Sequence, residues 1–180
     1  MTEKERIAAE LLALRCRRGD EAALRELVRV WEKRLFYYIR RLVPAEEDAW
    51  DILQETWMRV LGGIGKLENP GSLAPWLYSI ARRRIMDHLR ISYAEPAHEN
   101  GGGEPAEDIP ASEPDEFDAE RVHYGLARLS PANREALTLY FLEDFSIEEI
   151  AGILGIPAGT VKSRLFHAKR ALRTVLDREA

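Results

Sequence analysis

The sequence predicts an all-α protein: two small helical domains joined by a flexible acidic linker, with a helix-turn-helix in the second domain. Three observations lead there. Apolar residues recur every three or four positions through most of the chain, and nowhere alternate with period two for long enough to make a strand. Glycine, proline and Ser, Asp or Asn caps fall between the periodic stretches. Residues 92–118 then lose the periodicity altogether.

A first helix is expected from about Glu3 to Arg18. Asp20 opens a second, strongly amphipathic one, in which Leu24, Leu27, Val28, Trp31, Leu35, Tyr38, Ile39 and Leu42 share a face until Pro44 breaks the run. A third helix covers roughly Ala45 to Leu61 and stops at Gly62-Gly63. Asn69-Pro70-Gly71 marks a turn, and a fourth helix runs from about Ser72 to Ile91.

Residues 92–118 contain three consecutive glycines, four prolines, many acids and few apolar side chains. Such a stretch cannot bury enough surface to offset its ordering entropy, so it reads as a linker. The expected domains are therefore 1–91 and 119–180. In the second, helices are expected over Ala119–Leu129 and Pro131–Leu142, with Ser130-Pro131 as a cap followed by proline in the first turn. Ser146 and Glu149 form a capping box for a short helix whose apolar stripe is Ile147, Ile150, Ala151 and Leu154. Gly155 supplies the turn and Pro157 prevents continuation. The last helix, about Ala158 to Leu176, points Val161, Leu165, Ala168 and Leu172 inward, and carries five cations and no acid.

A short helix, a glycine turn and a basic second helix make the helix-turn-helix pattern, whose second helix enters the major groove of duplex DNA. That geometry brings Thr160, Lys162, Ser163, Arg164 and His167 toward the groove. Arg164 is the expected base contact, because a guanidinium pairs bidentately with a guanine edge. Lys169 and Arg170 are better placed for phosphates.

Net charge is −5, which by itself argues mildly against nucleic acid, but the charge is segregated. Residues 1–91 hold 17 basic and 14 acidic side chains, residues 92–120 hold 10 acidic and no basic ones, and residues 121–180 hold 9 basic and 7 acidic. Two mildly basic helical blocks thus flank an acidic connector. Cys16 is the only cysteine, so no disulfide or cysteine-based zinc framework is possible. No apolar run reaches membrane-spanning length and the N-terminus lacks a signal-peptide core, so a soluble, cytoplasmic protein without membrane insertion is expected. His88, His98, His123 and His167 have no ligand spacing, Ser163 has no evident base, and no glycine-rich phosphate loop occurs. Neither catalysis, a metal nor a cofactor is expected.

Two more helix faces suggest partners. On the third helix, Ala49, Leu53, Thr56, Trp57, Val60 and Ile64 cluster on one side, while Asp51, Gln54, Glu55 and Met58 cluster on the other. The second face is either a solvated surface or a docking patch, acidic with a methionine at its centre. On the fourth helix, Leu73, Leu77, Ile80 and Ala81 point to the core, and Trp76, Ser79, Arg83, Asp87 and Arg90 form a separate stripe beside the Arg82-Arg83-Arg84 run. An aromatic interleaved with arginines suits single-stranded DNA. The alternative is that Trp76 is partly core and the arginines are soluble surface.

Taken together, DILQETWMRV (Asp51–Val60), PWLYSIARRRIMDHLR (Pro75–Arg90) and LARLSPANREALTLYFLEDFSIEEIAGILGIPAGTVKSRLFHAKRAL (Leu126–Leu172) resemble regions two and four of the bacterial RNA polymerase sigma factors of the extracytoplasmic-function (ECF) subgroup of the sigma-70 family. The resemblance implies a dissociable subunit that binds core RNA polymerase, directs it to promoters and helps open the DNA. It implies that Asp51, Gln54, Glu55 and Met58 dock on the clamp coiled coil of the largest polymerase subunit, with a further contact at the flap. It also implies that Trp76, Arg82, Arg83, Asp87 and Arg90 meet the minus-10 element as a melted non-template strand, and that the helix from Gly159 to Arg170 reads the minus-35 duplex. An anti-sigma protein is a further implied partner. Arg83 stands where many members carry asparagine, which exchanges an amide contact for a phosphate contact. The competing reading is a conventional helix-turn-helix regulator that binds duplex DNA without core polymerase.

Overall fold

The longest apolar stripe in the chain becomes the spine of the fold. In the computed structural model, which describes residues 3–94 and 116–177, the helices are α1 (Glu3–Arg17), α2 (Glu21–Leu42), α3 (Glu46–Gly63), α4 (Leu73–Ala94), α5 (Glu116–Ala127), α6 (Pro131–Leu137), α7 (Ile147–Leu154) and α8 (Ala158–Asp177). Short 3₁₀ turns at Ile64–Lys66 and Pro70–Ser72 join α3 to α4, and no strand occurs among the described residues. The expected connector lies mostly at residues 95–115, outside the described residues, as does His98. α4 continues to Ala94 and α5 begins at Glu116, so both helices extend into the stretch read as linker.

Asp20 caps α2 by accepting from the Ala23 amide at 3.0 Å, and Arg15 bonds the same carboxylate at 2.9 Å. Those two donors hold the Asp20 carboxyl below its ordinary value, the backbone amide contributing most. Leu27, Trp31, Leu35, Tyr38 and Ile39 are buried along α2, whereas Leu24 and Val28 lie at its margin. Each full burial of that size is worth about 1.5–3 kcal/mol. The stripe packs against α3 and α4. Trp31 meets Tyr78 of α4 edge-on at 6.5 Å, and Tyr38 meets the same ring at 5.0 Å.

Val43-Pro44 ends α2, and Arg40 seals the corner. Its buried guanidinium donates to the carbonyls of Val43 (3.0 Å) and Pro44 (2.6 Å), satisfying groups that a helix C-terminus leaves orphaned. At the far end of α3, Gly63 lies directly beneath the Trp76 indole, whose ring would come within 3.3 Å of any added Cβ. Asn69 then shapes the entry to α4, accepting from the Gly71 amide and donating to Ser72.

The C-terminal helices differ from expectation at two junctions. The Ser130 side chain makes no capping bond; instead Arg134 reaches back and donates to the carbonyls of Leu126, Ala127 and Leu129. The expected α-helix over Pro131–Leu142 is α-helical only to Leu137, and Thr138–Leu142 is a π-helical turn. The widened turn bonds the Glu143 amide to the Thr138 carbonyl, and Asp144 follows in the left-handed region at φ 61°, which aspartate tolerates better than most residues. The extra residue in the turn carries Glu143 inward.

The N-terminal and C-terminal helices share one continuous core. Phe145 meets Tyr78 at 5.0 Å, α7 packs along α4, and α6 packs on α2. Arg40→Met, which keeps the apolar stem and loses two charge-assisted bonds, should cost about 2 kcal/mol in urea unfolding. Arg25→Met, which removes only an exposed pair with Glu21, should leave the unfolding midpoint where it was.

Candidate nucleic-acid and partner-binding surfaces

The helix-turn-helix is built from local chemistry. Ser146 accepts from the Glu149 amide at 3.2 Å, while Glu149 accepts from the Ser146 amide at 2.8 Å, so both members of the capping box are in place. Ile150, Ile153 and Leu154 bury one face of α7, with Ile147 and Ala151 at the edge. Gly155 ends the helix at φ 65°, a left-handed position that glycine adopts without penalty. The chain turns, and α8 starts at Ala158 with Val161, Leu165 and Ala168 buried and Leu172 half-buried.

With that stripe inward, Thr160, Lys162, Ser163, His167, Lys169 and Arg170 are exposed and Arg164 is half-buried. No ion pair ties Arg164 to Glu148 or Glu149 among the described residues. Glu149 is occupied by Ser146 and by Arg6 of α1 at 3.4 Å. Two residues are oriented otherwise than their spacing suggests. The Ser163 hydroxyl donates back to the carbonyls of Gly159 and Thr160. The Lys169 ammonium lies 5.2 Å from the Tyr140 ring centre and 4.9 Å from that of Phe141. Beside it, Phe141 (55% exposed) and Phe166 (66%) stand in solvent. Neither was among the residues expected at the surface, although Phe166 lies off the buried stripe of its own helix.

On α3, Ala49, Leu53, Thr56, Trp57 and Val60 are buried as expected, joined by Ile52, and Ile64 is buried at the start of the 3₁₀ turn that follows. Asp51, Gln54, Glu55 and Met58 are exposed. Trp50 (48% exposed) and Leu61 (45%) extend this face beyond the residues singled out from sequence. Positions 50, 54, 58 and 61 form one helical stripe, so the signal was present in the spacing. Trp50 is held by stacking on Phe36 at 4.0 Å. Exposed apolar side chains ringed by carboxylates suit a partner with an apolar seam and basic flanks.

On α4, Trp76 is half-buried over Gly63, Arg83 is exposed, and Arg82 is half-buried. Asp87 bridges Arg84 and Arg90 on its own helix. Arg84 also approaches Glu55 at 3.9 Å, linking this surface to that of α3. Arg82 is turned toward the C-terminal helices, where its Nε donates to Glu135 at 3.0 Å. Ser79, Arg82, Arg83, Met86 and Asp87 line one wall of a cleft, and Gly152–Gly155 of α7 line the other.

The surfaces offer exposed cations, aromatics and a groove-sized basic helix. No cluster of metal-ligating side chains occurs among the described residues, and no described helix is long and apolar enough to cross a membrane. Comparison with known proteins agrees with this binding architecture. Residues 27–92 match the family model Sigma-70 region 2, and residues 119–172 match Sigma-70, region 4. The chain is 32% identical over 179 residues to the RNA polymerase sigma-H factor of Pseudomonas aeruginosa, covering 92% of each protein. It is 28% identical to the ECF RNA polymerase sigma-E factor of Haemophilus influenzae, covering 96% of this chain and 97% of that protein. Among solved structures, the sigma factor RpoE of Bartonella quintana in complex with the anti-sigma factor NepR superposes with a TM-score of 0.69 at 26% identity, over 85% of this chain and 96% of that one. CnrH in complex with the cytosolic domain of CnrY shares the fold at a TM-score of 0.70 and 21% identity, over 96% and 99% of the two chains.

The chain belongs to the sigma-70 family of RNA polymerase sigma factors. Within it, this is a member of the ECF subgroup. Its function is that of a sigma factor: it binds core RNA polymerase, directs it to promoters and promotes the DNA opening that starts transcription. Sigma factors are binding subunits and not enzymes.

The turn geometry predicts opposite effects at two neighbouring glycines. Gly155→Ala forces a Cβ into the left-handed region and should destabilise by about 1 kcal/mol. Gly152 lies inside α7 with open space where a Cβ would stand, so Gly152→Ala should be neutral or stabilising by up to about 1 kcal/mol. Thermal unfolding of the two variants checks the pair.

Proposed function

We propose a division of the sigma-factor work among the three surfaces. The exposed face of α3, with Asp51, Gln54, Glu55 and Met58 joined by Trp50 and Leu61, docks on the clamp coiled coil of the largest polymerase subunit. The observation that supports this is an exposed apolar stripe flanked by carboxylates on a helix whose other side is fully packed. The α4 surface, with Trp76, Arg82, Arg83, Asp87 and Arg90, takes the melted non-template strand of the minus-10 element. Bases stack on aromatics and phosphates pair with cations, and Arg83 is the exposed cation nearest the cleft. The exposed face of α8 reads the minus-35 duplex through Thr160, Lys162, Ser163, Arg164 and His167, while Lys169 and Arg170 hold the backbone. The exposed aromatics Phe141 and Phe166 beside that face suit the polymerase flap.

In this reading the chain divides into a region 2 domain over 1–91, an acidic linker over 92–118 and a region 4 domain over 119–180, and it works in the cytoplasm. An anti-sigma protein is a further partner, on the strength of the similarity to RpoE, which was solved with NepR.

The docking assignment is tested by titrating labelled protein with core polymerase. Asp51→Ala combined with Glu55→Ala should weaken association by about tenfold or more, since charge pairs at an interface are worth about 1.5 kcal/mol upward. Circular dichroism should stay unchanged, because both carboxylates are exposed. Unaltered affinity would remove this face from the interface.

The duplex assignment is tested by selecting binding sites from random DNA with holoenzyme. Arg164→Ala should cost about 1–3 kcal/mol on the preferred sequence and relax one base position. Lys169→Ala should weaken all sequences alike. Base preference unchanged at every position would reassign Arg164 to structure.

A further inference from the structure

α3 buries one face in the core and turns the other to solvent, and Met58 stands in the middle of the outer face. At about 100° per residue, it falls between Trp50, Gln54 and Leu61 on one edge and Asp51 and Glu55 on the other. It is 69% exposed, more than any other large apolar side chain among the described residues. The chain has three methionines; Met1 lies outside the described residues, and Met86 is half-buried on α4. Cys16 is 2% exposed, and burial pushes its thiol above the ordinary pKa. Among the described residues, the sulfur most open to solvent is therefore that of Met58.

A thioether is soft and adaptable, and it packs well at the centre of an interface that excludes water. The same sulfur lone pair reacts with peroxides. It attacks one peroxide oxygen, and the S–O bond forms as the O–O bond breaks. The leaving hydroxide takes the proton of the transferred oxygen and becomes water. Sulfur is oxidised by two electrons and the peroxide is reduced by two, which turns a flexible apolar side chain into a polar, chiral sulfoxide. The new oxygen needs a hydrogen-bond donor once water is excluded. Asp51 and Glu55 beside it are acceptors when ionised and cannot donate to it.

We propose that Met58 is a modification site, oxidised by peroxide to the sulfoxide, and that this oxidation weakens docking on core polymerase. The inference rests on the reading of α3 as the docking face. The step is reversible, because methionine sulfoxide reductases return the sulfoxide to the thioether. Met86 packs against the core and lies off the outer face of α3, so it serves as the internal comparison.

The full chain is treated with hydrogen peroxide, the peroxide is removed with catalase, and peptide mass mapping locates the added oxygen. Core polymerase is titrated only afterwards, so its own methionines never meet the oxidant. Each protein is compared with its own untreated form. The wild-type chain should carry oxygen on Met58 and bind core about tenfold more weakly after treatment, the order expected when an unpartnered polar group is buried. Methionine sulfoxide reductases A and B together should restore the untreated affinity. Met58→Leu should show no change on treatment, whatever its starting affinity, whereas Met86→Leu should lose affinity as the wild-type chain does. No oxygen on Met58, an unchanged affinity with Met58 oxidised, or an equal loss in Met58→Leu each overturns the proposal. If Met58→Leu binds too weakly to titrate, Met86→Leu decides: loss that the reductases reverse upholds the proposal, and loss that they do not reverse overturns it. Asp51→Ala with Glu55→Ala separates this proposal from the docking reading. If that pair weakens core binding and oxidation of Met58 does not, the redox step is wrong and the docking face stands; if neither weakens it, both fall.

Discussion

A buried carboxylate has to be satisfied before two helices can close over it, and Glu135 meets that requirement with the Tyr38 hydroxyl and the Arg82 guanidinium. An unpartnered charge at that depth would cost several kcal/mol, enough to force the halves apart. This trio therefore constrains how α2, α4 and α6 can meet within the shared apolar core. Burial, reinforced by the Glu135 charge, drives the Tyr38 hydroxyl well above its ordinary pKa, so the phenol stays a donor. Arg34 repeats the arrangement with Glu143. Burial opposes its charge, but the neighbouring Tyr78 and Glu143 outweigh that and raise its pKa. The Tyr78 hydroxyl is buried beside them without a hydrogen bond of good geometry, a cost the two arginine–carboxylate pairs must also cover.

From this core the three surfaces follow. α3 packs through Leu53, Thr56, Trp57 and Val60, which leaves its acidic and apolar outer stripe free. α4 is committed on one side to α2 and α3 through Leu73, Leu77, Tyr78 and Ala81, which leaves Arg82 to meet Glu135, Arg83 to line the cleft toward α7 and Arg84 to reach back toward Glu55 of α3. α8 is held by Val161, Leu165 and Ala168, so its cations face outward. Rigid helices thus aim each set of functional side chains, as a binding constellation requires.

Much of this was legible in the sequence because it is local. The Ser146/Glu149 capping box, the left-handed Gly155 and the buried stripes of α2, α3 and α8 follow from spacing and cap chemistry alone, as does the helix-turn-helix. What escaped is long-range. Nothing near Pro131–Leu142 announces a π-helical turn, and the partner of the Glu143 that follows it, Arg34, stands 109 residues earlier in the chain. Ser130 offered a cap, but Arg134 supplied the stronger fastening. Trp76 is shared between core and surface because Gly63 lets the indole lie on the backbone. Arg82 resembled a free cation in its run of three until Glu135 arrived from another helix. Trp50, Leu61 and Phe166 were legible in principle, since their spacing puts them off the buried stripes of their helices, whereas Phe141, on the π-helical turn, had no regular spacing to place it.

This helical frame is a promoter-selecting subunit of RNA polymerase. The most direct measurement is transcription in vitro with purified core polymerase, this protein and a fragmented genomic DNA library, with the RNA 5′ ends mapped. A limited set of starts is expected, absent with core alone, that share one sequence element where the strands melt and a second in the duplex upstream. Starts identical to those of core alone, or a protein that binds duplex DNA without redirecting the polymerase, would contradict it.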